Sequence, residues 1–275
     1  MITKSQLLKY KNLHRTLIHS SDYLYLRPHP SISKYISSYA ITYPSPAIMS
    51  DAYTIMPDGC GRLVAEVHPN RFANYLFGPL SQAVTVGYNP ATFLVIVEFQ
   101  PAGLYALTAI DQNELTNQVY LLSDINKQLH NNLIQCIEKA TNVHHLVTAL
   151  DNLLYTQLQT QYNPHITAAF GHIFTHKGNI ATKQLAQATH YSERQLNRIF
   201  NATVGITAKP FAKLVRLNNA HQLIERTNLP IHTIAENTGY HDLSHFIHDF
   251  KDLSGITPQA YRNNMSDFYS AINKF

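Results

Sequence analysis

The chain has 275 residues, 45% of them hydrophobic and 14% charged, which excludes a disordered or collagen-like polymer and leaves room for one large domain or two ordinary ones. The 21 Lys and Arg exceed the 17 Asp and Glu by a modest +4, but the excess is uneven: residues 1–162 carry ten basic and ten acidic residues, residues 163–275 eleven and seven. A basic surplus confined to one segment is the footprint of an anionic partner, nucleic acid or a membrane surface.

No apolar run, including Phe93 to Val97, approaches the roughly 18 residues of a membrane-spanning helix. The stretch Met1 to Lys9 has neither a secretory apolar region nor a small-residue cleavage site, so the expectation is a cytoplasmic protein with no membrane partner. Cys60 and Cys136 lie in unrelated contexts and predict no disulfide framework.

From Tyr23 to about Thr108 prolines recur at intervals too short for helices: Pro28, Pro30, Pro44, Pro46, Pro57, Pro69, Pro79, Pro90 and Pro101. Between them lie β-favouring runs, Ala52 to Met56, Leu63 to Val67, Val84 to Val86 and Thr92 to Phe99, with Asp58-Gly59 and Asn89-Pro90 as turn dipeptides. Several short strands at this spacing predict a small barrel or sandwich.

After Pro101 the spacing becomes helical. Leu104 and Leu107 with Ala109-Ile110 suit a short helix, and Leu129, Leu133, Ile134 and Ile137 line another. Leu146, Leu150, Leu153, Leu154 and Leu158 make a longer apolar stripe, able either to pair with its twin in a homodimer or to pack on its own barrel. The polar stretch Gln157 to Pro164 reads as a linker, dividing the chain into residues 1–162 and 163–275.

The second part repeats itself. Leu185-Ala186, Thr189 and Tyr191 recur as Ile234-Ala235, Thr238 and Tyr240; after a one-residue insertion Leu196, Phe200 and Gly205-Ile206-Thr207 recur as Phe246, Phe250 and Gly255-Ile256-Thr257. In the first copy Thr182 is expected to cap a short helix, Thr189-His190-Tyr191 to turn, and Ser192 to cap a helix from Glu193 to about Val204, with Gly205 ending it and Thr207 capping the next. In the second copy Pro230 starts the short helix, Asp242 caps a helix to about Ser254, and Thr257-Pro258 opens the last one. Short helix, tight turn and a second helix with a polar outward face make a helix-turn-helix. Pro210 to Arg226, with Phe211, Leu214, Val215, Leu217, Ala220 and Leu223-Ile224 apolar, predicts a long helix joining the two. The fold class expected is α+β: a β-rich, barrel-like N-terminal domain ending in helices, then an all-α domain.

At this point the chain resembles the AraC/XylS family of bacterial transcription regulators, over about residues 166–264. The match is carried by Ile234-Ala235-Glu236-Asn237-Thr238-Gly239-Tyr240, Ser244-His245-Phe246, Phe250-Lys251 and Ser254-Gly255-Ile256-Thr257-Pro258 with Tyr261-Arg262. The N-terminal half is similar to a less characterised domain preceding such modules, through Met56-Pro57-Asp58-Gly59, Gly78-Pro79, Val97 to Gly103 and Glu114-Leu115-Thr116.

The resemblance implies a sequence-specific, double-stranded-DNA-binding transcription regulator that reads with the outward face of each second helix. In the first copy it nominates Arg194, Gln195, Asn197 and Arg198. Arginine can fork onto guanine O6/N7 and Asn or Gln onto adenine N6/N7. In the second copy it nominates Ser244, His245 and His248, but Asp249 and Asp252 stand there too, predicting phosphate repulsion and a weaker head. Phosphate contacts are expected from Lys183, Lys209 and Lys251 and from the helix starts at Thr182, Thr207 and Thr257. Arg216 is expected to be structural, paired with Glu225 or a backbone carbonyl.

Catalytic chemistry finds little footing. His172 and His176 make half a metal site with no further ligand at spacing, the ten glycines form no phosphate-cradling loop, and no serine elbow is present, so no metal, cofactor or enzyme activity is expected. The N-terminal domain is expected to sense a small-molecule effector, to dimerise, or both. Its aromatics, Tyr23, Tyr25, Tyr35, Tyr39, Tyr43, Tyr53, Phe72, Tyr75, Phe77, Phe93 and Phe99, suit either a ligand pocket or a filled core. RNA polymerase is a further partner if the protein activates. Two rivals remain: an enzyme targeted to DNA by its C-terminal module, and an interaction module that has lost DNA affinity.

Overall fold

Alternation of apolar and polar side chains makes the N-terminal half a sheet. The computed structural model describes residues 2–8, 15–19, 22–44, 52–87, 89 and 91–264. Pro46, Pro90 and the side chain of Tyr53 lie outside the described residues. A short helix α1 (Lys4–Leu8) precedes strands β1 (Thr16–His19), β2 (Tyr23–Leu26), β3 (Ile36–Thr42), β4 (Ala52–Ile55), β5 (Arg62–His68), β6 (Arg71–Phe77), β7 (Val84–Gly87) and β8 (Phe93–Phe99). Helices α2 (Gly103–Thr108) and α3 (Gln112–Leu115) lead to strand β9 (Val119–Leu121) and to helices α4 (Leu122–Ile125), α5 (Lys127–Lys139) and α6 (Val143–Gln157).

Seven strands pair antiparallel in the order β1-β2-β3-β8-β5-β6-β9, and β4 with β7 forms a separate two-stranded sheet. The α+β expectation holds, and the four strand runs expected after Ala52 are all strands. Closure into a barrel is not formed among the described residues, because β1 and β9 end the sheet unpaired with each other. β8 sits centrally, with Val97 opposite both Tyr39 and Leu63. Leu63, Ala65 and Val67 alternate inward along β5, and Tyr35, Tyr39, Phe93 and Phe99 are buried in the same core, which these four aromatics help to fill.

The alternatives left open for the leucine stripe resolve by burial. Leu146, Leu150, Leu153 and Leu154 of α6, with Leu129, Leu133 and Ile137 of α5, complete the core against the sheet, leaving that face no room for a twin helix. α6 is pinned by buried Asp151, which accepts from Tyr39 Oη at 2.9 Å, His29 N at 3.0 Å and Arg15 Nη2 at 2.7 Å. A buried carboxylate is tolerated only when paired and hydrogen-bonded in this way.

The stretch between Gln157 and Pro164 has no regular structure but is tacked down: Gln159 N and Thr160 N both donate to Ala106 O, at 2.9 and 3.2 Å, and Tyr162 Oη to Pro101 O at 2.6 Å. Among the described residues only helices follow: α7 (Pro164–Thr175), α8 (Thr182–Ala188), α9 (Glu193–Val204), α10 (Ala208–Arg226), α11 (Ile231–Asn237), α12 (Leu243–Ser254) and α13 (Pro258–Asn263). They enclose two cores. Phe170, Ile173, Leu185, Leu196, Phe200 and Val204 meet Phe211 and Val215 of α10 in one; Ile234, Phe246, Phe250 and Tyr261 meet Leu214, Leu217 and Ile224 of α10 in the other.

Candidate nucleic-acid interface

Each second helix is set by local chemistry. At α9, Ser192 Oγ accepts from Gln195 N at 3.2 Å while Gln195 Oε1 accepts from Ser192 N at 3.0 Å, a reciprocal capping box, and Gly205 closes the helix at φ 87°. At α12, Asp242 accepts from Ser244 N at 3.0 Å and His245 N at 3.3 Å, and Gly255 closes at φ 79°. The short helices α8 and α11 end in matching threonines, Thr189 and Thr238, whose buried hydroxyls donate back to Leu185 O and Ile234 O at 2.8 Å each.

The nominated residues divide. Arg194, Gln195 and Arg198 are exposed on α9, and Ser244, His245 and His248 on α12. Gln195 spends its oxygen in the capping box, so a two-point contact with adenine requires breaking that box. Asn197 is half-buried, and its Oδ1 accepts from Ala208 N at 3.2 Å, so it fastens the start of α10 rather than offering its amide outward. Spacing placed it on the outward face without revealing that the next helix passes over it.

Lys183, Lys209 and Lys251 are exposed. Thr182 corrects an expectation: it is the first residue of α8, Ala181 occupies the cap position, and Gln184 Oε1 accepts from Ala181 N at 3.2 Å. Thr207 stands at the cap of α10 without a side-chain cap bond, whereas Thr257 caps α13 by accepting from Ala260 N at 3.2 Å.

The acidic character of α12 is also corrected. Asp249 is turned inward and buried, 2.9 Å from Lys213 Nζ and 4.0 Å from Arg216 Nη2, both on α10, and accepts from Tyr240 Oη at 3.3 Å. Asp252 shares Lys213 at 3.4 Å. Asp249 is thus buried and paired from the connecting helix, whereas Asp252, whose side chain is 52% exposed, stays on the surface of α12. Arg216 is structural, but through Tyr240, whose ring it covers at 4.3 Å, while Glu225 accepts from Tyr261 Oη at 2.5 Å. Burial raises the carboxyl pKa of Glu225 above its ordinary value. Two histidines flank Asp249 on the open side: His245 Nε2 at 3.5 Å and His248 Nδ1 at 3.9 Å, with side chains 61% and 79% exposed.

The N-terminal domain touches both units, a feature with no local sequence signal. Helix α3 packs on α9, and Thr116 Oγ1 donates to Gly205 O at 3.2 Å. Ala83 N donates to Leu253 O, at the end of α12, at 2.9 Å. Ala102 joins the first core and Met56 packs on the second, while Gly59 (φ 65°) lies against Phe211 and Leu214.

Metal chemistry finds no geometry: among the described residues no group of three or more His, Cys, Asp or Glu side chains is arranged to hold a metal ion, and His176 Nδ1 lies 2.8 Å from His172 O. No described helix is long and apolar enough to cross a membrane.

Two helix-turn-helix units on one connecting helix, each with a capped second helix and exposed polar residues, define the class. Residues 185–264 match the family model described as a helix-turn-helix domain, and residues 25–120 match a domain of unknown function, DUF6597. Residues 185–264 are thus a helix-turn-helix domain. The chain is 32% identical over 91 residues to the uncharacterized HTH-type transcriptional regulator YisR of Bacillus subtilis, covering 33% of this chain and 32% of that one. It is 30% identical over 121 residues to the HTH-type transcriptional activator RhaR of Salmonella dublin, covering 43% and 42%. It thus spans about a third to two-fifths of the length of these relatives. A transcriptional regulator structure with an AraC-type DNA-binding domain, from Chromobacterium violaceum, aligns with 28% identity and a TM-score of 0.34 over 37% of this chain and 94% of that one.

Proposed function

We propose that the protein is a cytoplasmic, sequence-specific DNA-binding transcription regulator in which residues 163–275 read DNA and residues 1–162 control the reading. The observation that carries this is the duplication: α8–α9 and α11–α12 are like-built units on a common α10, each presenting exposed donors from its second helix. Arg194 and Arg198 fork onto guanines in one major-groove segment, with Gln195 and Asn197 supporting the helix that carries them. Ser244, His245 and His248 make single-point contacts in the next segment. Lys183, Lys209 and Lys251 hold phosphates, together with the helix starts at Thr182, Thr207 and Thr257. Double-stranded DNA is the partner; control passes through a small-molecule effector or a homodimer, and through RNA polymerase where the protein activates. This reading gives the chain no catalytic role and no cofactor.

Selection of bound sequences from a random DNA pool tests it. The expected result is an enriched motif in two blocks, bound with an affinity that falls steeply as salt rises. A pool without enrichment overturns the proposal.

A further inference from the structure

A cleft of about 440 Å³ opens on the seam between the two domains, within the range of small-molecule sites. Its walls come from three places: Tyr105 and Asp111 from the N-terminal domain, Thr160 from the connecting stretch, and Arg198 with Ile199 and Ala202 from the first reading helix. Ile166 adds to the apolar lining.

The charges are distinctive. Arg198 is the cation and Asp111 the anion among the described residues lining the cleft, and neither has an ion pair or side-chain hydrogen bond. Asp111 stands at the start of α3 but makes no capping bond.

An unpaired cation, an unpaired anion and an apolar wall together are complementary to a small zwitterion with an apolar side chain. We infer that this cleft binds an apolar α-amino acid, its carboxylate on Arg198, its ammonium on Asp111, and its side chain against Ile166, Ile199 and Ala202. A simple carboxylate leaves Asp111 unanswered, and a simple amine leaves Arg198 unanswered. The regulatory consequence rests on the proposed function: a guanidinium holding a carboxylate cannot also fork onto guanine, so ligand and DNA compete for Arg198.

Calorimetric titration of L-leucine and L-phenylalanine into the full chain, without DNA, tests the site. Saturable binding is expected for at least one of them. Isocaproate and isoamylamine, which lack the ammonium and the carboxylate of leucine, should each bind about tenfold or more weaker, as should leucine to Arg198→Gln and to Asp111→Asn. The analogue series uses the unaltered protein and does not depend on how the variants fold. No saturable heat with either amino acid overturns the site; isocaproate binding as tightly as leucine overturns the zwitterion, as does full affinity in both variants. In a second arm, saturating leucine should weaken binding to the selected DNA. Undiminished DNA affinity with leucine bound overturns the competition alone, whereas DNA binding that never occurs overturns the reading function and leaves the ligand result standing.

Discussion

Arg198 and His221 show how single side chains carry opposite kinds of information. Arg198 is exposed and unpaired, so its guanidinium is available to a base edge at no cost to the fold. Replacing it with alanine should cost about 1–3 kcal/mol on the selected site and relax one base position, leaving the unfolding midpoint unchanged. Binding to a panel of single-base variants checks this; an unaltered base preference would show that α9 does not read through Arg198. His221, on the inner side of α10, is wedged edge-on to Phe250 at 4.7 Å and stacked on Tyr261 at 4.8 Å, with Nε2 unpartnered. Burial pushes its pKa from 6.5 down to about 3. Between those values the unfolded chain takes up a proton that the folded chain refuses, so this contribution to stability is fully present above the unfolded value and is lost as the pH falls. The loss is roughly 1 kcal/mol per pH unit in that window. Denaturant midpoints at neutral and mildly acidic pH should therefore diverge more for the wild-type protein than for His221→Phe, and equal divergence would assign the acid sensitivity elsewhere.

At the scale of elements, Gly205 and Gly255 form a matched pair. Both end a second helix in the left-handed region, at φ 87° and φ 79°, and occupy the same place in the repeat. A Cβ at Gly255 meets nothing within 4 Å, whereas one at Gly205 runs into Thr116 Oγ1 and the carbonyl oxygen of Gln112. Gly255→Ala should thus cost only the backbone strain, about 1–2 kcal/mol, and Gly205→Ala that strain plus the displacement of α3, on the order of 1–3 kcal/mol more. Thermal unfolding of both variants isolates the contact between domains, and equal losses would show that it contributes nothing. The same pair marks where the sequence is legible. Ser192, Asp242, Gly205 and Gly255 act on backbone within a few residues, so the bounds of α9 and α12 can be read directly from them. Strand order cannot: β8 lies between β3 and β5 because of pairings some sixty residues apart in β3 and thirty in β5, which no local signal announces. The misplacement of Asn197 and Asp249 has the same origin. Helical spacing gives the angle of a side chain, but Ala208 N and Lys213, which claim these two, belong to another helix.

At the scale of the whole molecule, the spacing of the two helix-turn-helix units is set by the helix that joins them. Helix α10 has 19 residues and so runs about 28 Å, and its residues feed both cores, Phe211 and Val215 on one side and Leu214, Leu217 and Ile224 on the other. A helix buried on two faces has little freedom to bend or turn. The N-terminal domain adds a second brace, through Thr116 to the end of α9 and through Ala83 to the end of α12. Two heads held in this way cannot follow a change in operator geometry. Major-groove segments on one face of B-DNA recur about every 34 Å, and five added base pairs turn the second segment by about half a helical turn, to the far side of the duplex. Inserting five base pairs between the two blocks of the selected site should therefore reduce binding to that of the better block alone, while ten added base pairs restore the face but not the distance and should also fail. Competition binding with these spaced sites distinguishes a braced pair from a flexible one, since a protein that tolerated either insertion would have to let α10 or the domain contacts give way.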